Sequence, residues 1–386
     1  MSYTIDRLDD FGRGITKVND KICFVSNALD DEEIELDITL EKSKYYLGVQ
    51  TNIIKKNSER VIPKCPYFFK CGGCNIMHMN YEKQLDFKYN KVKNILLKFS
   101  NLDNVVNGII PSQQFNYRNK ISLKVKNGIL GLYKDNSYEL VKIEKCFLCK
   151  DKINEIIEVL NSLNLIDIDE IIIRVNYKDE VLLCLKGNNI NDKYYLKNLE
   201  SVDNIVVIDN KEKRIIKGND YIIDMINDMY FKISLESFFQ VNSYQVSNLY
   251  EKVLEYSNLT GKENVLDLYC GTGTIGMFLS RYAKNVFGIE IDEMAVEDAI
   301  YNKKLNNVSN IDLVVIDPPR NGLSNKAIKN VLDINSKKII YVSCDPVTLA
   351  RDLNVLKNNY IIKKVTLVDM FPNTYHCESI TVLERR

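Results

Sequence analysis

The chain has 386 residues, 45% of them hydrophobic, and balances 52 basic against 52 acidic side chains; it can bury two or three cores but has no global charge that would draw it to nucleic acid. No run approaches the ~20 apolar residues of a membrane span, and the first ten residues carry three aspartates and no apolar signal core, so a cytoplasmic protein without a membrane partner is expected. In that setting the ten cysteines are metal ligands, nucleophiles or buried thiols before they are disulfides.

Residues 1–58 read as short strands: Gly12–Ile15, Ile22–Val25, Ile34–Ile38 and Tyr45–Ile54 recur about every ten residues, which suggests a small OB-like barrel. Residues 1–40 hold 4 Lys/Arg and 10 Asp/Glu, whereas residues 41–100 hold 12 and 4. That basic block could track phosphates, although charge alone is more often a solvated lysine face. Cys65, Cys71 and Cys74 converge on a Gly-Gly turn, with Cys146 far downstream. Thiols so spaced suggest a metal. Zinc and an iron–sulphur cluster use the same donors, and spacing does not separate them. Cys149 is a rival fourth ligand and His78 an outside candidate.

Residues 81–99 form a helix with Leu85, Tyr89, Val92, Ile95 and Leu96 on one stripe. From residue 109 to about 228 strands dominate (Ile121–Val125, Ile129–Tyr133, Ile171–Val175, Val181–Leu185 and Ile205–Ile208), interrupted by a helix at Lys152–Leu163. After Ser237 the pattern changes to strands alternating with helices, the mark of a doubly wound, mostly parallel sheet.

Three strand ends in this last region carry chemistry. Val265-Leu-Asp-Leu-Tyr-Cys-Gly271-Thr-Gly273-Thr-Ile-Gly276 is a glycine turn between a buried strand and a helix, and Glu290 closes the next strand about 20 residues on. Glycines permit close approach of a nucleoside, the helix offers free N–H groups, and the carboxylate suits ribose hydroxyls. A plain strand–helix connection is the rival, and the cofactor's identity stays open. Asp317, in the stiff Asp317-Pro-Pro-Arg320, ends the strand 311–316. Cys344 follows the strand Lys338–Val342 beside a helix N-terminus, a setting that exposes a thiol and lowers its pKa. Glu378 lies in a loop near the end of the chain. Thiol nucleophile and carboxylate base together fit addition to, and proton removal from, an activated ring. Cys23, Cys149, Cys184, Cys270 and Cys377 are assigned to packing.

Taken together, Phe238-Phe-Gln240-Val-Asn242, the glycine turn, Asp317-Pro-Pro-Arg, Ser343-Cys344-Asp-Pro and His376-Cys-Glu378-Ser resemble the RNA uracil-5 methyltransferase family, in its branch with an N-terminal TRAM domain and a [4Fe–4S] cluster. The resemblance implies an α/β protein of three parts: a TRAM barrel at 1–58, a central α+β iron–sulphur domain at 59–236, and a Rossmann-like class I methyltransferase domain at 237–386. The helix at 81–99 is expected to pack with the catalytic domain. Cys65, Cys71, Cys74 and Cys146 match the cluster ligands. Gln240, Tyr269, Gly271, Gly273, Thr274, Glu290 and Asp317 match S-adenosylmethionine or active-site positions, Cys344 the nucleophile and Glu378 the general base.

The implied activity is methylation of carbon 5 of a uridine in 23S rRNA by a monomer, with the target base flipped out of the RNA and held with help from the basic block, Arg118 and the TRAM barrel. A tRNA uridine methyltransferase and a catalytically impaired RNA-binding descendant are the alternatives. The sequence departs from the family at one place. Asn306-Asn-Val-Ser-Asn-Ile311 runs almost directly into the strand 311–316, where the family carries another strand, an acidic or polar cofactor contact and a helix. Losing that unit should open the adenine side of the pocket and weaken cofactor binding.

Overall fold

The computed structural model describes the chain apart from residues 307, 309–313 and 317, so Asp317 and the first half of the strand expected at 311–316 lie outside the described residues. Two compact units emerge, one from residues 1–91, 132–141 and 371–376, the other from 92–131, 142–370 and 377–386.

The first unit begins with β1 (Tyr3–Thr4), β2 (Arg7–Leu8), β3 (Gly14–Val18), β4 (Lys21–Ser26), β5 (Glu33–Glu41) and β6 (Tyr45–Lys55). Asn19 and Asp20 both adopt positive φ and turn β3 into β4 with two residues, the geometry that matches strand twist. Ile5, Val18, Cys23, Val25, Ala28, Ile34 and Tyr46 bury one face. The strands pair in the order β1-β5-β6-β4-β3-β2, and the two terminal strands are successive stretches of one segment, residues 3–8. That segment bonds to both neighbours: Ile5 N donates to Glu32 O beside β5, and Asp6 N donates to Ile15 O of β3, each at 2.9 Å. Arg60 and Glu32 form a buried fork at 2.5 and 2.7 Å, and Glu32 also accepts from Leu29 N and Asn57 N.

Helix α1 (Tyr81–Ser100) covers the predicted span. Its first half buries polar Gln84 and Lys88, whereas Leu85 and Tyr89 are only half-buried. Lys88 Nζ donates to Phe371 O at 3.0 Å and Gln84 pairs with Asn373, so the burial stripe follows hydrogen bonding there and apolar periodicity only from Val92 onward.

Next along the chain come β7 (Val106–Ile110), β8 (Lys120–Lys126), β9 (Ile129–Tyr133), β10 (Leu140–Lys142), α2 (Asp151–Asn161), β11 (Ile168–Val175), β12 (Val181–Gly187), α3 (Asp192–Asn198), β13 (Asn204–Asp209) and β14 (Glu212–Lys217), all in the second unit except residues 132–141. Strands β8 to β14 make one sheet, β10-β9-β8-β11-β12-β13-β14, and α2 buries Ile153, Ile156, Ile157 and Leu160. A separate hairpin follows, β15 (Tyr221–Ile226) and β16 (Met229–Ser234), turned by Asn227 and Asp228 at positive φ.

The remainder alternates as the sequence predicts: α4 (Ser243–Ser257), β17 (Asn264–Leu268), α5 (Thr274–Ser280), β18 (Asn285–Ile289), α6 (Glu293–Leu305), β19 (Val314–Ile316), α7 (Asn325–Ile334), β20 (Lys338–Ser343), α8 (Pro346–Leu356), β21 (Tyr360–Val368) and β22 (Glu378–Arg385). The sheet runs β18-β17-β19-β20-β22-β21-β7. Strands β17 to β20 are parallel and β22 is antiparallel to β20. Successive strands leave β17 on opposite sides, so the strand order reverses there, the place where ligands bind in such sheets. Strand β18 forms the sheet's outer edge, with Phe287 and Ile289 exposed. Among the described residues no helix is long and apolar enough to cross a membrane.

Candidate active site

The sheet topology brings the predicted residues to one edge. Tyr269 to Gly273 follow β17, Glu290 follows β18 and Cys344 follows β20, so all lie at carboxyl ends of neighbouring parallel strands. Glu378 opens β22, whose antiparallel direction puts its amino end at the same edge. Ser343 pairs with Ser379, and Ser379 Oγ donates to Ser343 O at 3.0 Å. Cys344 directly follows Ser343 and Glu378 directly precedes Ser379, which sets a thiol and a carboxylate at the same end of the ladder. Cys344 is half-buried and Glu378 4% exposed, so the carboxylate stands where bulk water is largely excluded.

The glycine turn is held from below. Gly271 and Gly273 both adopt positive φ, as does Tyr269 at 62°, a conformation costly for a tyrosine. Tyr269 N and Cys270 N donate to Ile289 O at 2.7 and 3.1 Å, and buried Asp267 accepts from Gly276 N at 2.9 Å. Glu290 turns back to the loop, taking Gly271 N at 2.9 Å on one oxygen and Ile291 N and Asp292 N on the other. The oxygen that takes Gly271 N keeps one acceptor site for a ligand hydroxyl, whereas the other is filled by two amides. Thr274 accepts from Tyr250 OH at 2.6 Å, which makes it a link between α4 and α5. Burial, then Asp352 and Glu290, raise the Tyr269 phenol. A cavity of about 240 Å³ opens beside the turn, lined by Asp267, Cys270, Gly273, Phe287, Glu290 and Ile300 among others.

Gln240 is 8% exposed and sits in the segment entering α4. Asn119 fastens that segment, donating from Nδ2 to Gln240 O (3.1 Å) and from N to Val241 O (2.9 Å). Asn242 caps α4 by accepting from Gln245 N and reaches Met370 O with its amide, tying the segment to the end of β21.

Helix α8 carries residues that sequence reasoning missed. Asp345 caps it, accepting from Val347 N and Thr348 N, with Pro346 in the first turn. Fully buried Asp352 accepts from Tyr341 OH (2.6 Å), Leu323 N (2.7 Å) and Arg351 Nε (2.8 Å). Thr348 Oγ1 donates to Arg320 O, and Arg351 Nη2 to Asn321 O and Leu323 O. Together they clamp the Pro318–Leu323 loop, the continuation of Asp317-Pro-Pro. The one legible signal was position: Thr348, Arg351 and Asp352 lie one to two turns past a strand-tip cysteine.

The remaining thiols sort by surroundings. Cys23, Cys149, Cys184 and Cys377 are buried, as expected of packing residues, while Cys270 is half-buried with burial pushing its thiol up to about 12. Cys65, Cys71 and Cys74 are half-buried, and Gly73 N donates to Cys71 Sγ at 3.4 Å. A hydrogen bond from Cys149, against the opposing effect of burial, holds the Cys146 thiol at about 6. Buried His78 stacks near Phe68, ring centroids 5.5 Å apart. Among the described residues no three His, Cys, Asp or Glu groups stand together in a geometry that could hold a metal.

Three comparisons bear on this arrangement. A sequence model described as tRNA (Uracil-5-)-methyltransferase matches residues 80–316 and again 310–386. The chain is 37% identical to an uncharacterized RNA methyltransferase of Clostridium tetani over 429 aligned positions, covering 96% of this chain and 93% of that one. It is 34% identical to another from Clostridium acetobutylicum over 441 positions, covering 99% and 96%. The fold superposes on the crystal structure of a Pyrococcus abyssi tRNA (uracil-54, C5)-methyltransferase in complex with S-adenosyl-L-homocysteine, with a TM-score of 0.83, 28% identity, and coverage of 99% of this chain and 100% of that one. An alignment of 429 positions exceeds the 386 residues here by 43, so the C. tetani protein has at least that many without a counterpart. The family match breaks and resumes at 310–316.

Proposed function

The chain belongs to the RNA uracil-5 methyltransferase family, and from that premise we propose that it methylates carbon 5 of a uridine in structured RNA, with S-adenosylmethionine as donor and 23S rRNA as the first substrate to test. One observation carries the reading: a cysteine and a buried carboxylate stand one residue beyond the Ser343–Ser379 pair, on the strand edge that also carries the glycine turn.

Carbon 5 of uracil is a poor nucleophile. Cys344 thiolate adds to carbon 6, and the electron pair moves to carbon 5 and the carbonyl as an enolate. S-adenosylmethionine, when bound, supplies its sulfonium methyl group to that carbon. Glu378 then takes the carbon 5 proton, and elimination restores the ring double bond and frees Cys344. Gln240, Tyr269, Gly271, Gly273, Thr274 and Glu290 would hold the donor; Asp317, assigned to the same site by the resemblance, lies outside the described residues. The bound homologue of the P. abyssi enzyme supports this choice of donor.

The [4Fe–4S] assignment to Cys65, Cys71, Cys74 and Cys146 rests on the family resemblance, since thiolate donors by themselves suit zinc equally. The described geometry does not gather the set, and no reaction step passes through it. Iron and sulphide content of protein purified without oxygen tests the assignment; absence of both removes it. The 23S rRNA choice leans on the TRAM-and-cluster resemblance, while likeness to the P. abyssi enzyme over the whole chain favours tRNA as a second reading.

The deciding assay is tritium release from carbon-5-labelled uridine in 23S rRNA and, separately, in tRNA. Release with one RNA assigns the substrate. No release with either, alongside retained RNA binding, would mark the chain as a binding descendant.

A further inference from the structure

Resting on the glycine turn as the cofactor site, we propose that Asn302 and Asp298 of α6 are positioning residues that hold that turn and the Gln240 segment from the side of the β15–β16 hairpin. Strand β18 is the edge of its sheet, and α6 gains little from apolar packing: its buried residues are Ala295, Asp298 and Asn302, while Ile300, Tyr301 and Leu305 are exposed. What docks the helix is polar.

Asp298, Asn302 and Asn306 recur every fourth residue and so share one face. Opposite them lies the edge of β16 that β15 leaves unpaired, presenting Ser234, Lys232 and Tyr230 in turn. Asn302 accepts from Lys232 N at 2.6 Å and donates back to Lys232 O at 3.2 Å. Asn306 does the same to Tyr230, at 3.0 and 2.6 Å. Asp298 accepts from Ser234 N (3.1 Å), Ser234 Oγ (2.8 Å) and Lys232 Nζ (3.0 Å). Four helical residues advance about 6 Å and two strand residues about 6.8 Å, close enough for three rungs to stay in register. The helix thus presents the donor and acceptor pattern of a neighbouring strand.

Two rungs extend beyond the hairpin. Asn302 Nδ2 also reaches Thr272 O, between Gly271 and Gly273, at 3.3 Å. Asp298 also takes Ser237 Oγ at 2.6 Å, where the segment leading to Gln240 begins. Both cofactor segments therefore hang on α6 through side chains fully buried or nearly so. The Asn306 rung touches neither.

That asymmetry supplies the test. S-adenosylhomocysteine is titrated into the full-length wild-type protein and into Asn302→Ala and Asn306→Ala by calorimetry, with thermal melting and steady-state kinetics on each. Asn302→Ala is expected to raise Kd about tenfold, roughly 1.4 kcal/mol, and to raise KM for the methyl donor while kcat at saturation stays within about twofold. Asn306→Ala is expected to lower the melting temperature comparably yet move Kd less than about twofold. Equal effects on Kd, or none, overturn the proposal. Should Asn302→Ala fail to fold, Asn302→Asp keeps the acceptor for Lys232 N and removes the donor to Thr272 O and Lys232 O; it is compared with Asn306→Asp, which removes only the matching donor to Tyr230 O and Asn302 O. A wild-type protein that binds no homologue would sink the cofactor reading and this inference together; wild-type binding with an unaffected Asn302→Ala sinks this inference alone.

Discussion

Replacing Asp352 by alanine tests whether the strand-tip geometry is held by α8. The carboxylate is fully buried and serves three donors: Tyr341 OH at 2.6 Å, Leu323 N at 2.7 Å and Arg351 at 2.7–2.8 Å. Arg351 is half exposed and can turn to water, so its share is small. Tyr341 and the Leu323 amide are buried and would each lose a partner, at about 1–3 kcal/mol apiece. We expect a loss of about 3 kcal/mol. The second unit holds about 280 residues, for which an unfolding entropy near 0.6 kcal/mol/K converts that loss to a fall of about 5 °C. Tyr341→Phe removes one donor and leaves the carboxylate two, so its cost should be about 1 kcal/mol. The double variant should fall short of the sum by about 1 kcal/mol, because the two share one bond. Calorimetry on the four proteins, with methyl transfer followed in parallel, gives the answer. A loss under about 1 kcal/mol for Asp352→Ala, or strict additivity, would refute the clamp. Transfer should suffer as well, since the same carboxylate holds Leu323, at the end of the loop that continues from Asp317.

Three further outcomes follow from the site. Cys344→Ser should lower kcat by roughly three or more orders of magnitude and leave no covalent RNA adduct on denaturing gels, since a serine hydroxyl is a weak nucleophile at neutral pH; near-normal turnover would remove Cys344 from the mechanism. Glu378→Gln should still form the adduct while releasing product about 10²–10⁴-fold more slowly, so that adduct accumulates; undiminished release would show that another base takes the carbon 5 proton. In the first unit, burial and then the Arg60 guanidinium hold His78 at about 3, below its usual 6.5. The unfolded chain therefore binds the proton first: stability is full above about pH 6.5 and falls by about 1.4 kcal/mol per unit as pH drops toward 3. His78→Leu should flatten that slope in urea titrations between pH 6 and 4, and an unchanged slope would assign the effect elsewhere.

Much of the site was written locally. Alternation of buried strands with helices, closed by Gly271-Thr-Gly273, Glu290 and Cys344, places those groups at strand ends because a parallel sheet permits no other placement. Glu378 needed more: its neighbourhood with Cys344 depends on β22 running antiparallel beside β20, a pairing between residues far apart in the chain. The strands expected at the N-terminus lie where their spacing puts them, while their pairing order, with residues 3–8 bonded beside β5 and to β3, came only from the fold. Leu85 and Tyr89 gave the stripe of α1, yet Gln84 and Lys88 are buried because Asn373 and Phe371 offer them partners.

The amino-acid order alone determined which strands end in a thiol, a carboxylate and a glycine turn, because hydrophobic period and turn chemistry act between near neighbours. Asp298, Asn302 and Asn306 show what it left undecided. Their four-residue spacing says only that they share a helix face, and the unpaired edge of β16 converts that face into a ladder, buried at Asp298 and Asn302, that reaches Thr272 and Ser237. Asp352 became an anchor in the same way, when folding brought Tyr341 and Leu323 to it. A polar side chain's role is fixed by the partner that replaces its water, and that partner is chosen by the tertiary fold.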